Sequence, residues 1–327
     1  MTARLRVAVV GTGAWGEQHA RVFAGRADTE LVGIVGRTPE RTERRAAAYG
    51  TTAYTNLDEM LASAKPDLVT TSLPNEAHFA PTLQLIRHGV PLLVEKPLVF
   101  SLEEADQLIA EAAQQGLFFA INFNHRYAEP VRRAYRAIRD GALGEIVHAT
   151  WRFGGEPNFG ESPYGNLFET QCHGFDMLEH LVGPIASVMA QMSNKTDSAA
   201  YNTMAIAVEF ANRAVGSLLG TYDSSYAYPD AQYIEINGTK GRALIQDTVQ
   251  KLTLSMTGSE THQVWQPGYF NDTARTFTHT LDRHVEDVLT ALRAGEEPPI
   301  HARAGQRAVA LAAASVHSFE GGVRVTV

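Results

Sequence analysis

The stretch Arg6-Val7-Ala8-Val9-Val10-Gly11-Thr12-Gly13-Ala14-Trp15-Gly16 decides the fold of this chain. An apolar run typical of a buried strand enters a G-x-G-x-x-G pattern, and a helical pattern follows. In that context Gly11 permits a tight turn, Gly13 lets backbone N–H groups approach a pyrophosphate, and Gly16 lets the helix pack on the strand. The stretch therefore predicts the first βα unit of a dinucleotide-binding domain.

The same alternation of apolar runs and helical segments continues to Phe123, which predicts repeated βα units and a parallel sheet. The predicted strands are Arg6–Gly11, Glu30–Gly36, Leu68–Leu73, Pro91–Glu95 and Phe118–Phe123. The predicted helices lie near Gly16–Arg26, Arg41–Tyr49, Leu57–Ala62, Ala77–His88 and Leu102–Gln115. Residues 1–123 are thus interpreted as a doubly wound, dinucleotide-binding domain.

The second half of the chain has a different pattern. After a helical stretch at Val131–Arg139, short strands are joined by turns, and two helices near Phe277–Ala294 and Arg303–Phe319 close the chain. The predicted strands are Gly144–Phe153, Ile185–Met192, Met204–Phe210, Val215–Tyr222, Gln232–Ile236, Arg242–Ile245 and Lys251–Ser255. Alternating apolar residues in Met204–Phe210 predict one buried face. Residues 124–327 therefore form an α+β domain with an open, mainly antiparallel sheet, and the fold class is α/β.

Composition narrows the class of protein. The chain has 327 residues, with 28 Lys and Arg against 36 Asp and Glu, a net charge of −8. This balance argues against nucleic acid or an anionic membrane as the main partner. A single cysteine, Cys172, excludes an intrachain disulfide and fits a reducing compartment. With neither a signal segment nor a bilayer-spanning stretch in view, we expect a cytoplasmic protein.

The motif Val94-Glu95-Lys96-Pro97 ends the strand Pro91–Glu95. Ligands of open α/β sheets bind beyond the carboxyl ends of the strands, so Lys96 stands where a nicotinamide would need a proton-transfer group. Alternatively, Lys96 forms a structural ion pair with Glu95.

Two further strand ends favour cofactor contacts. The position about 20 residues past the glycines, where an acid selects NAD, is Gly36 followed by Arg37. A guanidinium suits a 2′-phosphate, which favours NADP, although Arg37 alternatively lies in a solvated loop. The segment Ser72-Leu73-Pro74-Asn75 also follows a strand, and Asn75 alternatively caps a helix.

Helical periodicity over residues 166–180 aligns four polar side chains in one stripe, Glu169, His173, Asp176 and His180. A separate apolar stripe suits the core, and it contains Phe168, Cys172, Phe175 and Val182. A solvated polar face is the alternative, but such faces usually contain Lys and Arg. Zinc is a second alternative, through His173, Asp176 and His180, but no adjacent Cys/His pair supports it, so no metal is expected.

Together these motifs resemble the Gfo/Idh/MocA oxidoreductase family over nearly the whole chain. The segments that carry the resemblance are Gly11–Gly16, Glu95–Pro97, Asn122–Tyr127, Gly144–Val147, the His173-x-x-Asp176 helix and Ile236–Gly241. The resemblance implies a Rossmann domain, a C-terminal open sheet that often mediates dimers or tetramers, and redox chemistry on a sugar, inositol or related polyol.

The resemblance also implies roles for particular residues. Lys96 matches the proton-handling lysine, His173 the catalytic histidine, Glu169 the acid before it, and Asp176 a residue that contacts substrate hydroxyls. We expect the cofactor-binding residues to be Gly11, Thr12, Gly13, Ala14, Trp15, Gly16, Arg37, Thr38, Ser72, Leu73, Pro74, Asn75, His78, Glu95, Lys96 and Asn124. Further substrate-lining candidates are Asn124, His125, Arg126, Tyr127, Trp151, Arg152 and Tyr164. Many members have D-x-G-x-H where this chain has Glu169-x-Gln171-x-His173, so the substrate is not transferable from inositol dehydrogenases.

These residues predict an NAD(P)-dependent dehydrogenase, with NADP favoured and NAD possible as cofactor. Lys96 and His173 would contact the reacting oxygen and Glu169 would tune them, because the protein must position the carbon and handle the proton. Two alternatives are a non-catalytic nucleotide-sensing regulator and a glycosidase that keeps its NAD bound and uses redox only transiently. The presence of both Lys96 and His173 counts against the sensor.

Overall fold

The structure is a computed structural model that describes four ranges of the chain, 4–74, 77–155, 162–196 and 199–327. The chain forms two compact units, unit 1 with Met1–Phe123 and Leu281–Gln306, and unit 2 with Asn124–Thr280 and Arg307–Val327. The sequence-based division assigned 124–327 to one continuous domain. The structure corrects this, because Leu281–Gln306 lies in unit 1.

Unit 1 is built on a parallel sheet of six strands. The strands are β1 (Leu5–Val10), β2 (Thr29–Val35), β3 (Ala53–Tyr54), β4 (Leu68–Thr71), β5 (Leu92–Glu95) and β6 (Phe119–Asn122). The helices between them are α1 (Ala14–Ala24), α2 (Pro39–Ala48), α3 (Leu57–Ala64), α4 (Phe79–Arg87) and α5 (Leu102–Gln114). The order β3-β2-β1-β4-β5-β6 confirms the doubly wound sheet and places a topological switch point between β1 and β4.

Unit 2 contains a sheet of nine strands. After a 3-10 turn at Asn124–Tyr127, its elements are α6 (Glu129–Arg139), β7 (Ile146–Gly154), α7 (Gly165–Glu169), α8 (Cys172–Val182), β8 (Ile185–Ser193), β9 (Thr203–Phe210), β10 (Val215–Thr221), β11 (Gln232–Gly238), β12 (Gly241–Gln246), β13 (Lys251–Met256), β14 (His262–Trp265) and α9 (Asp272–Arg275). The last elements of the chain are α10 (His279–Ala294), α11 (Arg303–Gly321) and β15 (Val325–Thr326).

The strand order in unit 2 is β14-β13-β12-β11-β7-β10-β9-β8-β15. β7 and β10 pair in parallel and the other neighbours are antiparallel, which confirms the mainly antiparallel sheet. One face packs on helices. In β9 the predicted alternation is confirmed, since Met204, Ile206, Val208 and Phe210 are all buried. They join the same core as Phe175 of α8 and Leu311 of α11.

Most of α10 completes the core of unit 1. Leu281, Val285, Val288 and Leu289 are fully buried and pack with Val7, Val9 and Phe23. A backbone hydrogen bond also joins Ile121 N–H to the carbonyl of Ile300. Across the described ranges, no helix is both long and apolar enough to cross a membrane.

The predicted helix over residues 166–180 is interrupted. α7 ends at Glu169 and α8 begins at Cys172, with Thr170 and Gln171 between them. Glu169 therefore lies on a different helix from His173, Asp176 and His180, which are on α8. At the break, the Gln171 backbone N–H donates to the Asn166 carbonyl, and its carboxamide accepts from the Trp151 indole.

Candidate active site

A cavity of about 470 Å³ lies in unit 1 at the carboxyl ends of β1 and β2. Val10 and Val35, the last residues of these strands, both line it. The predicted cofactor residues on its wall are Gly11, Thr12, Gly13, Ala14, Trp15, Arg37, Ser72, Leu73 and Pro74. The cavity is therefore at the edge of the sheet where open α/β folds bind their ligands.

The three glycines of the first turn have separate structural roles. Gly11 adopts φ +127°, and a Cβ there would lie 1.9 Å from the Ser72 carbonyl oxygen. A Cβ at Gly16 would lie 2.3 Å from the Gly11 carbonyl oxygen, so Gly16 permits close packing of α1. At Gly13, the residue that precedes α1, a Cβ would meet no atom within 4 Å. The backbone at the start of α1 is thus open on its cavity side, and it fits a pyrophosphate.

The far end of the cavity carries two arginines. Arg37 and Arg41 both line it, and Arg41 Nε donates to Thr12 Oγ1 at 2.8 Å. A side chain at Gly36 would clash, because its Cβ would lie 2.4 Å from Thr42 Oγ1. An acidic side chain that would select NAD therefore does not fit at position 36. Sequence reasoning missed Arg41, although its place one helical turn after Arg37 was a usable signal.

Glu95 lies in a buried hydrogen-bond chain within unit 1. Its Oε1 accepts from His19 Nε2 at 2.8 Å and from Asn122 Nδ2 at 2.6 Å. Asn122 Oδ1 in turn accepts from His284 Nδ1 at 2.8 Å. Burial opposes ionisation, but these donors and the His19 charge outweigh it and lower the pKa of Glu95. Glu95 is therefore a buried carboxylate, and Lys96, which follows it at the end of β5, is partly exposed.

The remaining residues predicted to bind the cofactor have these positions. His78 is buried, with Nε2 2.9 Å from the Leu73 carbonyl oxygen, and burial lowers its pKa. Thr38 precedes α2. Asn124 donates to Thr280 Oγ1 at 2.8 Å within unit 2. Asn75 lies outside the described residues.

The predicted catalytic histidine of unit 2 is stacked on a second one. His173 and His125 have ring centroids 4.0 Å apart and an interplanar angle of 22°. Both are buried, at 6% and 4% exposure. Their proximity joins α8 to the 3-10 turn, two elements that are far apart in the sequence.

Next to the histidines is a buried ion pair. Arg126 donates from Nε to Asp176 Oδ2 at 2.9 Å and from NH2 to Oδ1 at 2.5 Å. Burial raises the pKa of Asp176 against the opposing effect of Arg126. Burial together with the Arg126 charge lowers the pKa of His180 to about 3, so His180 is neutral at physiological pH. Over the described ranges, no group of three or more His, Cys, Asp and Glu is arranged to hold a metal ion.

The structure changes the interpretation of some residues predicted to line the substrate pocket. Trp151 is wholly buried and donates its indole N–H to Gln171 Oε1 at 3.0 Å, and its contact with substrate stays a prediction. The alternation of side chains along β7 did not show which face of the strand is covered. Tyr127 is also buried, and the Tyr164 hydroxyl donates to Glu320 at 2.7 Å. Burial and that carboxylate raise the pKa of Tyr164 to about 12.

Comparison with known proteins finds a family model for each half of the chain. A family model described as "Oxidoreductase family, NAD-binding Rossmann fold" (GFO_IDH_MocA) matches residues 5–123. The model of its "C-terminal alpha/beta domain" matches residues 135–327. Inositol 2-dehydrogenase of Rhizobium meliloti (strain 1021) is 25% identical over 327 residues, covering 96% of each chain.

Two other similarities are more limited in scope. D-glucoside 3-dehydrogenase of Escherichia coli (strain K12) is 31% identical over 150 residues, 45% of this chain and 43% of the relative. The solved complex of levoglucosan dehydrogenase with NADH and levoglucosan has a TM-score of 0.89 at 20% identity, covering 99% of both chains. At that identity the likeness shows the fold alone.

Proposed function

Because the chain belongs to the Gfo/Idh/MocA oxidoreductase family, we propose that it transfers a hydride between NADP and a secondary alcohol or ketone of a sugar, inositol or related polyol. The observation that carries the proposal is the cradle at Gly13, which opens into a cavity lined by nine of the predicted cofactor residues. The dehydrogenase relatives that act on inositol and on a glucoside support the substrate class.

The residues divide the chemistry between them. Bound nicotinamide would supply the hydride acceptor or donor, and the backbone around Gly11, Gly13 and Ala14 would hold its pyrophosphate. Lys96 and His173 would take the hydroxyl proton during oxidation and return it during reduction, with Glu169 tuning them. Arg126 and Asp176 would orient neighbouring hydroxyls. In this proposal unit 1 binds the cofactor and unit 2 binds the substrate.

A substrate screen with one variant tests the activity. Sugars, inositols and keto-sugars are incubated with NADP(H) or NAD(H), and the nicotinamide absorbance band is followed. Lys96→Ala should lower kcat by about 10²–10⁴-fold, the typical value of a general acid–base group. Lys240→Ala, at an exposed turn, is the matched control. Near-normal turnover of Lys96→Ala would assign Lys96 a structural role. Substrate conversion without net change in added cofactor would instead indicate a glycosidase, and cofactor binding without turnover a sensor.

The preference for NADP rests on Arg37 and Arg41. A dianionic 2′-phosphate gains charge-assisted hydrogen bonds from these guanidinium groups, whereas the NAD ribose does not. NADPH should therefore bind tighter than NADH by about tenfold or more, and Arg37→Ala should narrow that gap while leaving NADH affinity unchanged. Fluorescence titration measures both constants. Equal or tighter binding of NADH to the unmodified protein overturns the preference.

The open face of the unit 2 sheet supports a homodimer or homotetramer. Val147, Met189, Val215 and Leu219 on β7, β8 and β10 are 41–56% exposed. An apolar sheet face of this kind suits a second copy, and light scattering of Leu219→Glu against the unmodified protein tests it. We also infer a cytoplasmic location, which fits a sequence with a single cysteine, Cys172.

A further inference from the structure

A second cavity, of about 700 Å³, lies in unit 2 at the edge of the nine-stranded sheet. This α6 cavity is bounded by residues 133–142 on one side, from α6 and the turn after it, and by β13 and β14 on the other. Its volume is in the range of about 300–1,000 Å³ that is usual for small-molecule sites. The proposed hydride transfer uses none of its lining residues, so the cavity has no assigned ligand.

The sheet side of the α6 cavity is apolar. Leu252 pairs with Trp265 and Leu254 with Gln263 across β13 and β14, so these side chains lie on the same face of the sheet. Leu252 is buried, whereas Leu254, Met256 and Trp265 are half-buried and pack against the core of unit 2. The apolar surface that they leave exposed favours a ligand with an apolar body.

One arginine on the helix side is held against an indole ring. The guanidinium carbon of Arg133 lies 5.4 Å from the ring centroid of Trp265, and Arg133 Nε is 2.7 Å from Glu129 Oε1. The ion pair and the ring contact together restrain this guanidinium. An aromatic ligand gains from both groups, because Trp265 packs on the edge or face of a ring and Arg133 acts on it as a cation.

A second arginine supplies a cation for an anionic ligand. The Arg136 side chain is 59% exposed, and its NH2 lies 3.5 Å from Glu129 Oε1, at the long limit of a hydrogen bond. Within the part of the chain that the structure describes, its other N–H groups donate to no protein acceptor. A guanidinium binds a carboxylate through two parallel hydrogen bonds, so Arg136 has the donors that such a group needs.

We propose that the α6 cavity binds a small aromatic carboxylate, with its ring beside Trp265 and Arg133 and its carboxylate on Arg136. Asp140 also lines the cavity, four residues after Arg136, and repels an anion. Because Glu129 already pairs with Arg133, a dianion would meet Asp140 without a second uncommitted cation. The site therefore favours ligands with a single negative charge.

Fluorine NMR tests the site without any activity measurement. Protein labelled with 5-fluorotryptophan gives signals from Trp15, Trp151 and Trp265, and Trp265→Phe assigns the signal of the α6 cavity. Trp15 lines the cavity of unit 1, so its signal reports binding there instead. The probe is 1-naphthoate, and we expect it to shift the Trp265 signal with a Kd below about 1 mM.

Two matched probes separate the charge from the ring. The neutral 1-naphthamide should bind about tenfold more weakly than naphthoate, because it cannot form charge-assisted hydrogen bonds with Arg136. The saturated decahydro-1-naphthoate should bind about threefold more weakly, because it has no π face. A Trp265 signal that does not move at about 10 mM naphthoate, or equal Kd values for naphthoate and naphthamide, would overturn the proposal.

Charge variants then locate the carboxylate. Arg136→Met should weaken naphthoate binding about tenfold, and Asp140→Asn should strengthen it about twofold. Arg132→Met removes the same charge from an exposed position of α6 outside the cavity, and it should leave the Kd within about twofold. The Trp15 and Trp151 signals report whether each variant is folded.

Two results would contradict the assignment. Equal Kd values for Arg136→Met and Arg132→Met would show that Arg136 does not bind the carboxylate. A Trp265 signal that moves with protein concentration in the absence of probe would show that a second copy of the chain fills the cavity.

Discussion

Glu95 in unit 1 and Asp176 in unit 2 are both buried carboxylates, at 4% and 5% exposure, yet their pKa values move in opposite directions. Glu95 accepts from two different elements, through His19 of α1 and Asn122 of β6. Among the residues that the structure describes, Asp176 accepts from Arg126, through a bidentate contact. Burial is common to both, so the arrangement of donors decides the sign.

One strong hydrogen-bond partner therefore does not replace several converging ones. The Asn122 amide is a neutral donor to Glu95, so its burial does not remove a charge from water. The Arg126 guanidinium is charged and must lose its water together with Asp176. Unit 1 therefore keeps a stable anion beside Lys96. Unit 2 keeps an ion pair whose carboxylate is more easily protonated.

The largest effect should follow removal of the cation in unit 2. Arg126→Met leaves Asp176 buried without its partner, and we expect the free energy of unfolding in urea to fall by about 3–5 kcal/mol at pH 7. The double variant Arg126→Met with Asp176→Leu should recover most of that loss, since both charges are gone. A loss below about 1 kcal/mol in the single variant would show that Asp176 has other support.

A smaller effect should follow removal of one donor in unit 1. Asn122→Ala loses the bond to Glu95 and leaves the His284 donor without this acceptor, so we expect a loss of about 2–3 kcal/mol. The pKa of Glu95 should rise in this variant. The loss should therefore shrink as the pH falls and Glu95 becomes protonated in both proteins. Asn212→Ala, at an exposed asparagine, is the control. An equal loss in its free energy of unfolding would show that the buried hydrogen bonds of Asn122 contribute nothing extra.

The pH dependence of unfolding should have opposite signs for the two carboxylates. Because folding lowers the pKa of Glu95, this carboxylate stabilises the folded state at pH values above its ordinary pKa of 4.5. The stabilisation is lost as the pH falls through the folded-state pKa. The raised pKa of Asp176 makes stability fall as the pH rises above 3.8.

Urea unfolding of Glu95→Gln and Asp176→Asn at several pH values measures these slopes, each at most about 1.4 kcal/mol per pH unit. Relative to the unmodified protein, Asp176→Asn should gain stability with rising pH and Glu95→Gln should lose it. Slopes of the same sign would contradict the opposite pKa shifts of Glu95 and Asp176.

The smallest effect on stability is expected for a surface ion pair that has the same bidentate geometry. Arg87 binds Glu111 through two hydrogen bonds of 2.8 and 2.9 Å, and the Arg87 bond is the main cause that lowers the pKa of Glu111 to about 2. Water solvates both groups when they separate, so Arg87→Ala should leave the melting temperature within error. A clear drop would show that bidentate geometry matters more than burial.

Most of the fold could be predicted from local patterns. The run before Gly11 and the alternation in β9 each report burial through their spacing, because side chains in strands have a period of two. The two-residue strands Ala53–Tyr54 and Val325–Thr326 could not be predicted, since they are too short for a period and form only by pairing with a neighbour. The position of Leu281–Gln306 in unit 1 could not be predicted either, because a local apolar pattern does not tell which of two cores a helix joins.

In the candidate site, too, local motifs could be predicted and tertiary contacts could not. The glycine turn and Arg37 were predictable because a local motif carries their geometry. The stack of His125 on His173 was not, since it joins residues 48 positions apart through contacts that no spacing encodes. The break at Thr170 and Gln171 was also hidden, because the helical period of the sequence continues across it.

The placement of α10 in unit 1 has a consequence for synthesis on the ribosome. The first 123 residues emerge without Leu281, Val285, Val288 and Leu289, four of the side chains that fill their core. At the usual elongation rate of about 5–20 residues per second, the chain needs roughly 10 to 40 s more before Gln306 is made. During that interval the nascent unit exposes apolar surface and is a natural client for chaperones. A truncation at Phe123 would leave it in that state permanently.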